Sequence, residues 1–365
     1  MNVERAFAAA ADLETPVAVR DDDAMERNLR AMAGVAVSAG VHLRPHAKTH
    51  KSPEVARRQL EHGAAGLTVA TLQEAEVFAD AGVRDILVAH PPAGRAKLAR
   101  LAHLAARVER LAVCLDDIDL ARAVPSEVEI LWEVDTGLHR IGTSAGEPTV
   151  ASVRDLVAAI GQDRFRGLLT HGGHAYRANS QAERRAAAAD ESEGLAATAE
   201  RLRLAGIEVR EVSVGSTPTA GFAPDFEGVT EIRPGTYVYG DAGQVALGSQ
   251  TLEDCAVAVI GTVVSAPSAD RCVVDVGSKS ISADRLVPTL EGFGTVLGHP
   301  GLAVARLSEE HAVLTAAEST GLEVGERVAI LPAHACTTVN LHPYLLTFAE
   351  SGKVTWEPVA ARGWR

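Results

Sequence analysis

Eight short strand-like runs alternate with helix-like segments over the first two thirds of the chain. The runs cover residues 42–46, 66–70, 85–90, 111–116, 128–135, 167–171, 209–215 and 231–235. The segments 53–62, 72–81, 95–108 and 181–204 between them are rich in Ala, Leu, Glu and Arg, with apolar residues at helical spacing. Eight strands that alternate with helices are typical of a (β/α)8 barrel of the TIM type.

The character of the chain changes near residue 239. Before that point runs such as 86–89 and 111–115 are continuously apolar, which fits parallel strands covered on both faces, in a barrel or in an open doubly wound sheet. Beyond it, Val-rich runs alternate with Gly, Pro and Ser turns and the helical segments disappear. We therefore predict a barrel domain at 16–240 and an all-β domain at 241–365. Residues 1–15 are assigned to the β-domain, and the run 15–19 is expected to add a strand to it.

Composition and charge narrow the classes of partner. The chain has 365 residues, of which 47% are hydrophobic and 23% charged, as in an ordinary globular protein. Its net charge of −13 would be repelled by nucleic acid or by an anionic membrane. A small molecule is therefore the expected partner.

The cysteines and the N-terminus indicate a cytoplasmic protein. The four cysteines are widely separated and form no CxxC pair, so we expect neither a disulfide framework nor a zinc ribbon. Residues 1–12 lack the apolar core of a signal peptide. No uninterrupted apolar run has the length that crosses a membrane.

Polar and basic residues stand where the predicted strands end. Lys48 follows the first strand and His90 ends the third, while segments 135–140 (DTGLHR) and 171–176 (HGGHAY) stand at the fifth and sixth. The seventh strand ends in 215–219 (GSTPT) and the eighth contains 233–236 (RPGT). Because barrels of this kind build their active sites at the carboxyl ends of the strands, these residues are expected to lie close together.

The segments at strands seven and eight suit a phosphate group. Their glycines, hydroxyls and backbone N–H groups can cradle a phosphate, and barrels commonly bind one in these two loops. Lys48 lies among basic residues, which makes a lysine easier to deprotonate, and a neutral amine can form a Schiff base. Each feature alone is also typical of a plain turn or a surface lysine. Together with an arginine or tyrosine able to contact an aromatic ring, they indicate a pyridoxal phosphate site.

A candidate metal pair lies near the C-terminus. His334 and Cys336 are two residues apart, so on an extended segment both side chains would point to the same face and could share one metal ion. Imidazole and thiolate favour zinc, and two protein ligands leave positions for water or substrate. His171 and His174 could add a ligand or an acid–base group. The alternative is a half-buried strand with a chance histidine and a small apolar cysteine.

Five segments together carry a family resemblance. They are 44–51 (RPHAKTHK), 135–142 (DTGLHRIG), 215–219 (GSTPT), 233–237 (RPGTY) and 334–336 (HAC). They resemble the D-threonine aldolase and D-serine dehydratase family, metal-activated relatives of alanine racemase with the fold type III pyridoxal phosphate architecture. The resemblance extends over essentially the whole chain, and the RPHxKTHK string with the late HxC is its specific part.

The resemblance implies roles for individual residues. Lys48 is expected to form the internal aldimine with pyridoxal phosphate, with His171 and His174 as further catalytic candidates. His334 and Cys336 are expected to hold zinc, with manganese or cobalt as alternatives. The residues expected around the phosphate are Gly215, Ser216, Thr217, Gly235 and Thr236. Those expected to contact the pyridine ring and its 3-hydroxyl are Arg140 and Tyr176, with Arg233 as a rival for the ring nitrogen.

One position separates the branches of this family. In the aldolase branch the second metal ligand resembles an aspartate, whereas this chain has Cys336, as in the dehydratases. The resemblance therefore implies loss of water from a D-3-hydroxy amino acid, namely D-serine, D-threonine or D-threo-3-hydroxyaspartate. A 2-oxo acid and ammonia would be the products, and the related enzymes lead us to expect a homodimer.

In the expected mechanism the amine of Lys48 removes the α-proton while the cofactor accepts the electrons. Zinc would bind the β-hydroxyl as it leaves. The alternatives are an aldolase that yields glycine and an aldehyde, a racemase, a carrier of pyridoxal phosphate without turnover, and a metal-dependent hydrolase. The metal pair has no use in a racemase, the carriers lack a C-terminal β-domain, and the first strand lacks the histidine pair of a hydrolase.

Overall fold

The structure is a computed structural model that describes residues 1–363. Its strands are β1 Val17–Asp21, β2 His42–Leu43, β3 Leu67–Val69, β4 Asp85–Val88, β5 Arg110–Leu115, β6 Glu129–Asp135, β7 Thr143–Ser144, β8 Phe165–Leu169, β9 Glu211–Val214, β10 Glu231–Ile232, β11 Val257–Ser268, β12 Arg271–Val274, β13 Gly294–Val296, β14 Ala303–Leu307, β15 Ala312–Thr315, β16 Arg327–Pro332, β17 Tyr344–Phe348 and β18 Val354–Pro358. Its α-helices are α1 Val3–Ala9, α2 Asp22–Ala39, α3 Pro53–Glu61, α4 Leu72–Asp80, α5 Arg95–Ala105, α6 Ile118–Ala123, α7 Glu147–Ile160, α8 Gln181–Leu204, α9 Thr217–Ala220, α10 Ala242–Ala246 and α11 Ala335–Leu341.

The chain forms two compact units. The β unit contains Met1–Arg30, Thr49–Ser52 and Thr236–Arg362, and the barrel unit consists mainly of Ala31–Lys48 and Pro53–Gly235. The division expected at residues 240 and 241 stays a prediction. Among the described residues, no helix has both the length and the apolar character that crossing a membrane requires.

The barrel unit is built on a closed parallel sheet. Its strands follow one another in the order β2, β10, β9, β8, β6, β5, β4 and β3, and each neighbouring pair is parallel. His46, just beyond β2, pairs in parallel with Thr68 in β3, which joins the two ends of the sheet. Each of the eight predicted runs contains or overlaps one of these strands. The predicted (β/α)8 barrel with a separate all-β domain is therefore confirmed.

The two shortest of the eight barrel strands lie in predicted runs that contain a proline. β2 and β10 are two residues long, and each run contains a proline, Pro45 or Pro234. Proline has no N–H to donate to a neighbouring strand, so regular pairing ends beside it. Single hydrogen bonds continue the contact: the N–H of His46 donates to the carbonyl of Pro234 at 2.9 Å.

The interior of the barrel is apolar in its middle layer. Leu87, Ala112, Cys114, Leu131 and Leu169 form one buried cluster contributed by β4, β5, β6 and β8. Because side chains alternate along a strand, the inward direction of Leu131 also applies to Glu133 two residues later on β6. A carboxylate therefore lies one layer nearer the carboxyl ends of the strands.

A ring of ion pairs lies near the amino ends of the barrel strands. Three arginines alternate there with four acidic residues, and each arginine contacts at least two carboxylates. The members of this ring are Arg44, Arg110, Arg166, Asp85, Glu129, Glu211 and Glu231. The most enclosed pair joins Arg44 Nε to Glu231 Oε2 at 2.7 Å, with both side chains at most 3% exposed. Buried charges of this kind are stable only while they remain paired.

The β unit contains a mostly antiparallel sheet with the order β12, β15, β14, β13, β16, β11, β1, β17, β18. A further pairing of β12 with β11 closes six of these strands into a barrel. The run 15–19 was expected to add a strand, and β1 pairs with β11 on one side and β17 on the other.

The β unit also contains two short helices that the sequence pattern did not predict. In α10 the Asp241 side chain caps the N-terminus by accepting from Gln244 N. In α11 the N-terminal Ala335 N–H donates to Asp241 Oδ2 at 2.9 Å, from a residue 94 positions away. The extended segment expected at 334–336 is therefore wrong beyond His334, because a distant carboxylate stabilises the start of a helix there.

Replacing Arg44 with methionine should destabilise the barrel unit, because the buried Glu231 and the half-buried Asp85 would lose a partner. We expect the free energy of unfolding to fall by about 3 kcal/mol in urea titrations, because Ser213 and Arg110 remain as partners of Glu231 and Asp85. As a control, Arg30→Met removes an exposed pair with Glu26 and should cost less than about 0.5 kcal/mol. A loss below about 1 kcal/mol for Arg44→Met would contradict the importance of the buried pair.

Candidate active site

A cavity of about 520 Å³ opens within the barrel unit. Five of the residues predicted from the sequence line it, namely Lys48, Arg140, His171, Gly215 and Arg233. They belong to the ends of β2, β6, β8, β9 and β10 or to the loops that follow them. The fold therefore brings residues that are far apart in the sequence together at the carboxyl ends of the barrel strands, where barrel sites are expected.

Other predicted residues lie elsewhere among the described part of the chain. His174 and Tyr176 belong to a 3-10 helix at Gly173–Arg177 and are not among the described residues that line the cavity. The His174 ring lies against Gly137, and neither of its buried nitrogens has a hydrogen-bond partner among the described residues. Their predicted roles stay predictions.

The predicted phosphate segments are divided between the two units. Ser216 and Thr217 form the start of the short helix α9, where the Ser216 N–H donates to Thr219 Oγ1 at 3.2 Å. Gly235 ends the segment of the barrel unit, whereas Thr236 belongs to the β unit. There the hydroxyl of Thr236 is 3.6 Å from Cys336 Sγ.

His171 is neutral in this cavity. Burial, with the nearby charges of Lys48 and Arg140, lowers its pKa to about 3. Its Nδ1 is 3.2 Å from the Gly215 carbonyl oxygen, which can only accept a hydrogen bond. Nδ1 therefore carries the proton and Nε2 is an acceptor.

Arg233 and Glu133 form the floor of the cavity. Arg233 donates from Nη1 to Ser213 Oγ and from Nη2 to the Thr170 carbonyl, which fixes the guanidinium. Glu133 is 4% exposed and lines the cavity. Burial raises its pKa to about 7, although Arg233, Cys114 and Arg140 oppose this change. Glu133 is not among the residues predicted at the strand ends. The one signal for it in the sequence is that it is a lone acidic residue within the apolar run 130–134.

A second buried carboxylate supports the turn after β9. Glu191 Oε1 accepts from the Gly215 N–H at 2.6 Å, and burial raises the pKa of Glu191. A Cβ at Gly172 would lie 2.4 Å from Glu191 Oε2, so only glycine fits there without a shift. Glu191 lies in the middle of α8, where nothing in the sequence distinguishes it from the exposed acidic residues of the same helix.

His334 and Cys336 meet in the β unit although the segment between them is not a strand. Burial opposes protonation of His334, but the Cys336 thiolate and the Asp284 carboxylate outweigh it and raise its pKa to about 10. Asp284 Oδ2 is 3.0 Å from His334 Nδ1, and the Thr49 hydroxyl is 3.1 Å from Cys336 Sγ. Sequence reasoning missed Asp284 because it lies 50 residues before His334.

The cavity suits an anionic ring compound such as the predicted pyridoxal phosphate. Its basic side chains include Lys48, Lys97, Arg140 and Arg233, and its one acidic residue among those described is Glu133. Gly215 has a positive φ of 128°, and a Cβ there would lie 2.8 Å from the backbone nitrogen of Arg233. Only glycine therefore lets this turn pack against the backbone of Arg233 at the edge of the cavity.

The His334 and Cys336 pair suits a soft metal such as zinc. Imidazole and thiolate are its common ligands, and Asp284 holds His334 by Nδ1, which leaves Nε2 as the nitrogen for a metal. Within residues 1–363 there is no group of three or more His, Cys, Asp or Glu side chains that could hold a metal ion. The candidate donors among the described residues are therefore His334 and Cys336.

This combination defines an alanine racemase-like protein. A parallel barrel carries a lysine and a glycine–serine turn at the carboxyl ends of its strands, and a separate antiparallel barrel follows it. The family model for the alanine racemase N-terminal domain matches residues 21–243. A putative serine dehydratase domain matches residues 256–348.

Individual relatives identify the family further. D-threo-3-hydroxyaspartate dehydratase from Delftia sp. (strain HT23) is 36% identical over 96% of this chain and 98% of its own length. D-threonine aldolase from Arthrobacter sp. is 33% identical over 97% and 94% of the two chains. A D-threo-3-hydroxyaspartate dehydratase mutant in the metal-free form has a TM-score of 0.88 at 35% identity, covering 97% of this chain and 99% of its own. The chain belongs to the family that contains these enzymes, which confirms the resemblance found in its sequence.

Glu133 should make stability depend on pH. Its carboxyl binds a proton up to about pH 7 in the folded protein, against an ordinary value of 4.5, so the stability it contributes is present below pH 4.5. That contribution is lost as the pH rises through 7. Relative to the wild type, Glu133→Gln should therefore gain about 2–3 kcal/mol in free energy of unfolding between pH 4.5 and pH 8.

Urea titrations of the cofactor-free proteins at both pH values measure this difference. Glu109→Gln, at an exposed position, is the matched control and should show no comparable change between the two pH values. A Glu133→Gln effect of equal size at pH 4.5 and pH 8 would contradict the raised pKa.

Proposed function

We propose that the protein is a dehydratase dependent on pyridoxal phosphate and zinc, which removes water from a D-3-hydroxy amino acid. The products would be a 2-oxo acid and ammonia. The observation that carries this proposal is the position of Lys48 in a cavity with neutral His171 and the cations Arg140 and Arg233. Relatives over the full length of the chain include a dehydratase and an aldolase that act on 3-hydroxylated D-amino acids.

Lys48 is the proposed base. Its peptide N–H is 3.4 Å from His46 Nδ1, and the preceding Ala47 N–H donates to the Thr68 carbonyl at 2.8 Å, which fixes the start of its side chain. Pyridoxal phosphate, when bound, supplies an electron sink for negative charge at the α-carbon. The Lys48 amine would hold the cofactor through its aldehyde and, once released by the substrate amine, take the α-proton at Nζ.

The arginines would orient the bound molecules. Arg233 is held by Ser213 and Thr170, so its guanidinium has a fixed direction at the cavity floor. Arg140 lines the same cavity and makes no hydrogen bond or ion pair with another described residue, which leaves it available to an anion or an oxygen atom. Arginine suits both roles because its planar fork of N–H donors is always charged.

His334 and Cys336 are the proposed zinc ligands. A zinc ion held there would supply a Lewis acid for a departing hydroxyl group. Asp284 would fix the tautomer and the direction of the His334 ring through Nδ1. The use of Cys336 in place of an aspartate is the feature that favours elimination over aldol cleavage. A homodimer in the cytoplasm completes the proposal.

Product analysis tests the reaction. The purified protein, supplied with pyridoxal phosphate and zinc, should release a 2-oxo acid and ammonia from D-serine, D-threonine or D-threo-3-hydroxyaspartate. Glycine as the main product would replace the dehydratase by an aldolase. Bound cofactor without any product from the three compounds would indicate a carrier protein.

Lys48→Ala should abolish turnover and the visible absorbance band of a cofactor bound through the lysine, because the proposed bond to the cofactor is made by the Lys48 amine. Lys353→Ala, at an exposed position, is the control for loss of one lysine and should keep both. Turnover that survives in Lys48→Ala would refute the assignment of the base.

Asp284→Asn should weaken zinc binding by about 10- to 100-fold, because the second ring nitrogen of His334 would lose its carboxylate partner. Competition with a chromophoric zinc chelator measures the affinity directly, without an activity assay. Asp270→Asn, at an exposed residue of the same unit, is the control. Equal affinity in Asp284→Asn and the wild type would exclude this positioning role.

A further inference from the structure

One wall of the cavity carries basic side chains that lack an acidic partner. His90 follows β4, Lys97 belongs to the first turn of α5, and Arg140 follows β6, and all three line the cavity. None of them makes a hydrogen bond or an ion pair with another described residue. Elsewhere in the barrel unit arginines are commonly paired, as in the ring formed by Arg44, Arg110 and Arg166 with its four carboxylates. Exposed arginines such as Arg95, Arg154 and Arg177 are also unpaired among the described residues, so the wall is distinguished by its position on the cavity.

This wall lies across the barrel from the predicted phosphate site. The strands that follow β4 around the barrel are β5, β6, β8 and β9. Because the barrel has eight strands, β9, four positions away, lies opposite β4. Gly215 follows β9, whereas His90 and Lys97 follow β4. A phosphate at Gly215 would leave these two side chains to a different anion.

The wall favours an anion, because its side chains offer N–H groups from which the oxygens of an anion can accept hydrogen bonds. Burial, together with the charges of Lys97 and Arg140, lowers the pKa of His90, so its ring is neutral at neutral pH and can donate one N–H. Glu133 is the one acidic residue that lines the cavity among those described, and it lies on the floor near Arg233. Lys97 has no such neighbour on its side.

We propose that Lys97 and His90 bind the side-chain carboxylate of a dicarboxylic D-3-hydroxy amino acid, so that the preferred substrate class is 3-hydroxyaspartate rather than serine or threonine. The inference rests on the proposed function for the reaction itself. The carboxylate site stands separately, because it requires only that the cavity bind an amino acid.

Kinetics with two substrates tests the preference. The wild type should have a higher kcat/KM for D-threo-3-hydroxyaspartate than for D-serine. In Lys97→Met the ratio of these two values should fall about 10- to 100-fold, the loss expected for one charge-assisted hydrogen bond. Lys97→Arg should restore much of the ratio. Arg95→Met removes one positive charge from the same turn of α5 at a residue outside the cavity lining, and it should keep the ratio.

A binding measurement separates this inference from the proposed reaction. D-aspartate has both carboxylates but no β-hydroxyl, and D-alanine lacks the second carboxylate. Calorimetric titration of the holoprotein should show tighter binding of D-aspartate, and Lys97→Met should remove most of that preference. A preference that depends on Lys97 supports the site even if no water is eliminated from any substrate. Equal affinity for the two amino acids, or an equal loss for both in Lys97→Met, would overturn it.

Discussion

The closure of the parallel barrel is the constraint on which the candidate site depends. His46 pairs with Thr68, the Ala47 N–H donates to the Thr68 carbonyl, and the Thr68 N–H donates to Pro45, so the segment after β2 is held on both sides. Lys48 is the next residue along. It begins the turn directly after these paired residues, so the start of the proposed catalytic lysine is anchored to the barrel. The same closure brings the ends of β8, β9 and β10 to the cavity in which Lys48 lies.

The two ends of the barrel use the same residue types in opposite ways. At the amino ends every arginine of the ring contacts carboxylates, so the charges stabilise one another and need no ligand. At the carboxyl ends Lys97 and Arg140 have no ion pair with a described residue. Burial raises the pKa of Glu133 there to about 7. Both cations are exposed, so water solvates them in the absence of a ligand and they remain available to a bound anion. The difference separates the stabilising end of the barrel from the end that can bind a ligand.

Local sequence pattern predicted the barrel and part of the site, because both follow from short-range features. The alternation of apolar runs and helices identified the eight strands, and residues at the strand ends identified Lys48, Arg140 and His171. What it missed depends on distant contacts. Asp241 stabilises the start of α11 from 94 residues away, and Glu191 reaches the Gly215 N–H from the middle of a helix. The spacing of polar residues along the chain carries no signal for either.

Burial also decides which group of the cavity can act as a base, and no sequence pattern shows this. A neutral imidazole whose pKa is about 3 accepts a proton weakly at neutral pH, so His171 is a poor general base despite its acceptor nitrogen. It remains suited to contact an aromatic ring or to accept a hydrogen bond. The lysine amine is the stronger base once its bond to a cofactor is released. The low pKa of His171 therefore favours Lys48 over His171 as the base of the proposed reaction.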